Sequence, residues 1–358
     1  MGYKAVRLLS ETIVVIITIV MAALSFYASY ARFFNPQTYL FASIVGLFTL
    51  VFVVVNIFLS IYWASKLRAW FFVSFSTILM LTPYISTMYQ FPFKSHPPYN
   101  ERDLCIVTYN VHSFNYTGSY KTNFKDISFL ICEKNPDIIC FQEIWFDNFL
   151  SLDSISKYLD MPYYSVGENG LGVKDYAIFS KYPILRTEHQ KYKNTHNGSM
   201  FCDIAIKEKI IRVVNCHLQT SNINQKKQEI EDLKQIFAPR IFAKAIQNLF
   251  KTITNNSSHR SKQALAINEI VQNTKYPIFV CGDINETPSS FVYSEVKGDL
   301  KDGFKEAGKG FGATYKKLFG LIRVDYIFHS SDIECVNYLV EKVDYSDHNP
   351  VFGFYRLK

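Results

Sequence analysis

Residues 278–285 read Ile-Phe-Val-Cys-Gly-Asp-Ile-Asn. The first four are apolar, rich in β-branched and aromatic character, and about the length of a buried strand. The run then ends on a glycine, a carboxylate and, two residues further, an amide. A strand covered on both faces needs no such group at its end. The same design recurs on either side in the chain. Leu104–Tyr109 runs into Asn110, Asp137–Phe141 into Glu143, and Ile211–Asn215 into His217. Val324–Phe328 contains Asp325, and Asp347-His348 stand just before Val351–Tyr355. Tyr176–Phe179 and Phe201–Ile206 are strand-like as well. Amphipathic stretches over Asn123–Glu133, Ile223–Phe250 and Ser261–Gln272 alternate with these runs. In the last of them Ala264, Ile267, Ile270 and Val271 recur at helical spacing. The pattern predicts a layered α/β domain.

A single Asp or Asn at a strand end is ordinarily a turn former, because its side chain bonds nearby backbone. Carboxylates, amides and histidines at successive ends mean more, since strand ends in layered sheets converge on one rim. Carboxylates crowded on a rim repel one another unless a cation neutralises them. An oxygen-rich set suits a hard ion such as magnesium or manganese rather than zinc.

Upstream the character changes. The chain has 358 residues, of which 49% are apolar and 19% charged, which excludes a disordered chain. Residues 1–100 hold Lys4, Arg7, Arg32, Lys66, Arg68 and Lys94 against a single acid, Glu11, so most of the net charge of +7 belongs there. The remainder is nearly balanced, which argues against a broad polyanion-binding face. No charge occurs over Thr12–Ala31, Phe33–Ser65 or Ala69–Phe93. Each window exceeds or equals the roughly 20 apolar residues a helix needs to cross a bilayer. Three transmembrane helices are predicted, near 12–31, 38–62 and 69–90, with a kink at Pro83 in the third. A cleaved signal peptide would account for the first window only. Tyr30, Tyr39, Trp63 and Trp70 lie at window edges, where amphipathic rings favour the interface. Lys4, Arg7, Lys66 and Arg68 against Arg32, Lys94 and Arg102 favour a cytoplasmic N-terminus. Three spans then place the rest of the chain outside the cytoplasm. The expected division is a membrane unit over 1–98 and a catalytic domain over 99–358.

Of seven cysteines, Cys105, Cys140, Cys202, Cys216 and Cys281 lie in strand-like runs, where cysteine behaves as a small buried hydrophobe. Their spacing fits neither zinc nor a disulfide framework.

The ordered set Tyr109-Asn110, Gln142-Glu143, Ser180-Lys181-Tyr182-Pro183, Asn215-Cys216-His217-Leu218, Gly282-Asp283-Ile284-Asn285, Val324-Asp325-Tyr326-Ile327 and Ser346-Asp347-His348 resembles the endonuclease/exonuclease/phosphatase superfamily. The resemblance covers about 102–356. Gly308–Tyr315, Gly-Lys-Gly-Phe-Gly-Ala-Thr-Tyr, is similar to a membrane-anchored subgroup of Bacteroidetes-type bacteria, which implies a bacterial inner-membrane protein with an extracytoplasmic catalytic domain. The implied fold is a four-layer α/β sandwich, two packed β-sheets flanked by helices, following the transmembrane helices. The implied chemistry is hydrolysis of a phosphate ester with Mg2+ or Mn2+. By the resemblance Asn110, Glu143 and Asp347 bind the metal, Glu143 foremost, and Asp283 orients or deprotonates the attacking water. Asn285, on the same side of an extended chain, donates to the phosphoryl oxygens. His348 acts at the phosphate and is held in one tautomer by Asp325. His217 is general acid to the leaving oxygen. His112, His189, His196, His259 and His329 match no motif and read as surface or structural residues. An unperturbed imidazole titrates near 6.5, so activity is expected to depend on pH near neutrality.

Lys174-Asp175 stand where the family often has a glycine-rich turn, which Gly170 and Gly172 can supply. Phe237, Ile241, Phe242, Ile246, Leu249 and Phe250 would form one helical face, either core-facing or laid on the membrane or the active rim. The expected partners are the lipid bilayer and a phosphate-ester substrate, either a lipid headgroup or a small ester. A membrane-bound nuclease acting on DNA or RNA needs the same residues but also a basic groove, and nucleic acid is the less favoured partner. A non-catalytic membrane scaffold would require a residue of the set to be missing.

Overall fold

A computed structural model describes residues 2–92, 103–144, 151–193, 195–220, 239–317 and 320–358. The helices are α1 (Gly2–Tyr30), α2 (Leu40–Leu47), α3 (Thr49–Ser65), α4 (Trp70–Met80), α5 (Thr82–Met88), α6 (Tyr120–Glu133), α7 (Leu152–Leu159), α8 (Pro239–Gln272), α9 (Phe291–Lys297) and α10 (Gly303–Ala307). The strands begin with β1 (Tyr89–Gln90), β2 (Leu104–Asn110), β3 (Ile138–Gln142), β4 (Tyr163–Glu168), β5 (Lys174–Ser180), β6 (Ile184–Lys191) and β7 (Gly198–Ile206). They continue with β8 (Lys209–His217), β9 (Ile278–Asp283), β10 (Lys301–Asp302), β11 (Gly310–Phe311), β12 (Asp325–His329), β13 (Ile333–Val340) and β14 (Val351–Leu357). The described residues pack as two compact units. The first comprises those of 2–86, 239–258 and 287–294. The second comprises those of 87–222, 259–286 and 295–358.

In the first unit α1 is long and apolar enough to cross a membrane unbroken. The other two windows are each a pair of helices, α2 with α3 bent by 55° and α4 with α5 bent by 51°. The kink expected in the third window is present, and the second window, for which no kink was expected, is bent as well. A broken apolar helix needs partners for its freed carbonyls. At the first break the Gly46 carbonyl accepts from the hydroxyls of Thr49 (2.7 Å) and Ser289 (2.6 Å). The second break falls at Leu81, two residues before Pro83, as a proline without an N–H predicts. The third window also ends early, since Tyr89 and Gln90 are strand. α1 and α3 are joined by buried polar contacts, Trp63 Nε1 to Thr18 Oγ1 at 2.8 Å and Asn56 Nδ2 to Ser25 Oγ at 3.0 Å. Small hydroxyl and amide groups between apolar helices supply directional contacts that lipid-facing side chains lack.

The second unit is built on two six-stranded sheets, ordered β13-β14-β2-β3-β5-β4 and β10-β12-β9-β8-β7-β6. Within them β2/β3 and β8/β9 are parallel and the other neighbours antiparallel. The period of two sorts the side chains of β2. Leu104 and Ile106 join Val213, Phe279 and Ile327 in the core between the sheets. Val107 and Tyr109 point the other way, to Phe124, Ile127 and Ile131 of α6 and Ile155 of α7. The result is the expected two-sheet sandwich with flanking helices.

Two corrections concern α8. It is one helix where two were expected, running unbroken through Lys251–Arg260. The poor helix formers there bond their own helix, Thr252 Oγ1 to the Asn248 carbonyl (2.9 Å) and Thr254 Oγ1 to that of Phe250 (3.0 Å). The buried Arg260 then donates to Glu286 and to the Gln219 carbonyl. Residues 223–238, with Phe237, lie outside the described set. Of the expected apolar face, Ile246 and Leu249 are half-buried and Phe250 is exposed.

Arg323 is wholly buried beside Asp302, with guanidinium to carboxylate distances of 2.6 and 2.7 Å, and its guanidinium lies over the rings of Phe304 and Tyr326. Asp302 also caps α10 through the Phe304 N–H. Removing one partner of a buried pair strands the other, at a cost of about 3–5 kcal/mol. Asp302→Ala should therefore lower the thermal midpoint of the purified chain by roughly ten degrees. An unchanged midpoint in differential scanning calorimetry would contradict this role.

Candidate active site

The sheet topology explains why distant motifs meet. β2 and β3 run parallel with Asn110 opposite Gln142, so their C-terminal ends bring Asn110 and Glu143 to one edge. β14 runs antiparallel to β2, with Val351 opposite Thr108, so the residues preceding it, Asp347 and His348, reach that same edge. In the second sheet β8 and β9 are parallel, with His217 opposite Asp283, and β12 is antiparallel, with Asp325 also opposite Asp283. Ends of parallel strands and beginnings of antiparallel ones share an edge by construction.

Gly282 permits the closest of these approaches. Its φ is +134°, and a Cβ there would stand 1.9 Å from the Cys216 carbonyl oxygen. Only glycine fits both the conformation and the space.

The side chains form a connected cluster. Asn110 Nδ2 donates to Glu143 Oε1 (2.9 Å) and Asp283 Oδ2 (3.2 Å). His348 Nδ1 lies 2.9 Å from Asp325 Oδ2, and its Nε2 is 3.7 Å from Asp283 Oδ2. His217 Nδ1 lies 2.8 Å from Asp175 Oδ2, and its Nε2 is 3.7 Å from Glu143 Oε1. Asp347 contacts His112 Nδ1 (3.3 Å) and Lys317 Nζ (2.9 Å). Tyr315 packs its ring 4.9 Å from that of His348. Asn285 lies past the end of β9 with a φ of +53°, so the same-side argument from extended chain is corrected. Its backbone N–H donates to Asp283 Oδ1 (2.8 Å), and its amide donates to the Leu218 carbonyl (3.1 Å).

Two participants escaped the sequence reading. Asp175 is the partner of His217, and His112, read as surface or structural, lies within 3.6 Å of Glu143 and 3.3 Å of Asp347. The available signals were a charged residue entering the apolar run Tyr176–Phe179, and a histidine two residues beyond Asn110.

Burial disfavours the charged form of His348, yet the carboxylates of Asp325 and Asp283 hold its pKa up to about 10. Burial likewise opposes His217, and Asp175, by charge and hydrogen bond, holds it up to about 9. Both imidazoles are thus held above the ordinary imidazole value by the carboxylate each one bonds. Burial and the neighbouring Asp325 push Asp283 up to about 6, against the pull of His348 and His217. Burial opposes ionisation of Asp347 too, but His112, His348 and Lys317 hold its pKa well below the usual carboxylate range. Activity that needs the His217 imidazolium declines as pH rises through about 9. Asp175→Asn removes the charge that raises this pKa, so the alkaline limb should move down by roughly 1–3 units. A pH–rate profile with the limb in place would show that another group titrates.

The donor chemistry fits a hard divalent cation. Glu143, Asp283, Asp325 and Asp347 bring four carboxylates into one cluster, and Asp325 Oδ1 is buried without a hydrogen-bond partner. Ligand atoms of Asp283, Asp325 and His348 lie within 4.8 Å of one another.

Two β-sheets face to face, with acids and histidines gathered from their strand ends, define a hydrolase of the two-sheet sandwich class. The sequence pattern of the Endonuclease/Exonuclease/phosphatase family matches residues 107–348, and the chain belongs to that family. It is a metal-dependent phosphoric ester hydrolase, as members of the family are. A domain of unknown function, DUF8431, matches residues 11–88. No curated protein matches the sequence. Among solved structures, the chain is similar to an endonuclease/exonuclease/phosphatase from Beutenbergia cavernae (TM-score 0.52, 16% identity, 72% of each chain covered). It is also similar to one from Bacteroides vulgatus (0.51, 16%, 72% of this chain and 100% of that one). A humanized D. rerio TDP2 shares the fold as well (0.50, 15%, 71% and 99%).

Proposed function

We propose that this chain is a membrane-anchored hydrolase of phosphodiesters that acts on a lipid headgroup or a small phosphate ester, with magnesium or manganese as its ion. The observation that carries the reading is a pair of Asp–His couples, both imidazoles buried, whose Nε2 atoms face one acidic cluster. The apolar Ala5–Phe33 segment supports the anchor, and the charge balance of the remainder supports a substrate other than a polyanion.

Glu143, with Asn110 and Asp347, would hold the ion. When bound, the ion neutralises charge on the phosphoryl and leaving oxygens. Asp283 takes the proton of the attacking water, and Asn285 offers its second amide hydrogen to a phosphoryl oxygen. His348, fixed by Asp325, presents its imidazolium to the phosphate. His217, fixed by Asp175, gives its proton to the leaving oxygen as the P–O bond breaks. The membrane unit expected over 1–98 is redrawn to end at Ser86, since Tyr89 and Gln90 pair within the second unit, and the catalytic domain lies outside the cytoplasm with the N-terminus inside. A periplasm-dependent reporter fused at Lys358 tests that orientation, and activity confined to the cytoplasm would reverse it.

The full chain reconstituted with Mg2+ or Mn2+ should hydrolyse phospholipid vesicles or a soluble diester faster than an oligonucleotide. Preference for the oligonucleotide would replace the lipid reading with a nuclease. Inactivity on all three would sink the assignment of chemistry.

A further inference from the structure

β1 follows α5 with no residue between them. Its partner is β11, with Tyr89 opposite Phe311 and Gln90 opposite Gly310, and the Gly312 N–H donates to the Met88 carbonyl at 2.9 Å. Gly310 takes a φ of +67°, which places the turn into β11 in glycine's region. The pair carries an aromatic cluster, with the Tyr89 ring 4.9 Å from Phe311 and 5.1 Å from Phe91. Phe91 is 64% exposed and Phe311 62% exposed.

Two rings this exposed leave most of their apolar surface outside the fold. Chain continuity supplies a different surrounding. The bent pair α4–α5 is long and apolar enough to count as one span, and aromatic rings concentrate where a span meets the headgroups.

Beyond Phe311 the chain leads directly to the catalytic edge. Thr314 Oγ1 accepts from the Asp325 N–H, the Tyr315 ring packs on His348, and Lys317 meets Asp347. Tyr315 is four residues from Phe311, a reach of at most about 14 Å. The headgroup layer is itself about 5–8 Å deep on each side.

We propose that Tyr89, Phe91 and Phe311 form an interfacial anchor seated among the lipid headgroups, which brings the His348 edge to the bilayer surface. This rests on the membrane reading above and adds its contact surface. The partner is the lipid interface rather than another protein.

The test uses the full chain in phosphatidylcholine vesicles with brominated acyl chains. Phe311→Trp and, separately, Phe91→Trp each add one indole, whose emission is obtained by subtracting the wild type. The added emission should be quenched by the bromolipid and shielded from iodide in the water. Quenching by iodide without quenching by bromolipid, at either position, overturns the anchor. A wild-type thermal midpoint shows that each variant is folded. The readout needs no hydrolysis, so a chain inactive on lipids would defeat the proposed substrate while leaving the anchor to stand or fall on the quenching.

Discussion

His348→Ala is expected to lower kcat by at least about a hundredfold, the low end of what one positioned catalytic group supplies. The residue is buried, its Nδ1 is committed to Asp325, and its Nε2 faces Asp283. Truncation thus removes the ring that lies between these two carboxylates. Metal half-saturation should change little, because the imidazole acts on the transition state. Asp325→Asn should lower the rate through loss of the histidine's orientation and charge. The double variant should be no slower than His348→Ala alone, since Asp325 works through His348. A His348→Ala enzyme at full rate would refute the role, and additive losses would give Asp325 one of its own.

Glu143→Gln is expected to act on the metal. An amide is a poorer ligand than a carboxylate for a hard cation. Half-saturation by Mg2+ should rise by more than the roughly 10–100-fold that even outer contacts of a metal ligand cost. Excess Mg2+ should restore part of the rate, which it cannot do for His348→Ala. Glu143 keeps its backbone at a φ of +53°, which glutamine tolerates no worse, so folding should be unaffected. Wild-type metal dependence with full turnover would remove Glu143 from the ligand set.

What the sequence disclosed follows from burial. β2, β3, β5, β8, β9 and β12 lie inside their sheets, so their residues are apolar, and their polar ends stand out. The strands that escaped notice are largely edges: β4 and β13 bound the first sheet, β6 and β10 the second. Ile184–Lys191 shows why, with Arg186, Glu188, His189, Gln190 and Lys191 all exposed. An edge strand is covered from one side only and often carries charges that discourage further pairing. β13 also has a bulge between Cys335 and Asn337, which breaks its alternation. The site was legible where its residues end strands. Asp175 was not, because it begins its role inside β5, and a carboxylate at the start of a strand looks like any solvated end. His112 was passed over because its left-handed backbone, φ +46°, turns it back toward Asn110's neighbours, which no periodicity announces.

Gly282 has a consequence for how this enzyme can vary. Asp283 owes its place beside His217 to the side chain its neighbour lacks, since β8 and β9 touch backbone to backbone there. Mutational tolerance along Gly282-Asp283 is therefore inverted from the usual order. The catalytic carboxylate can be exchanged for an isosteric amide with the scaffold intact, whereas adding one methyl group to the inert residue before it forces the two strands apart. In a saturation library selected only for folding, position 282 should admit fewer residues than position 283. Diversity aimed at new substrates is better spent on Leu171 and Val173, which are exposed on the loop that leads to the partner of His217.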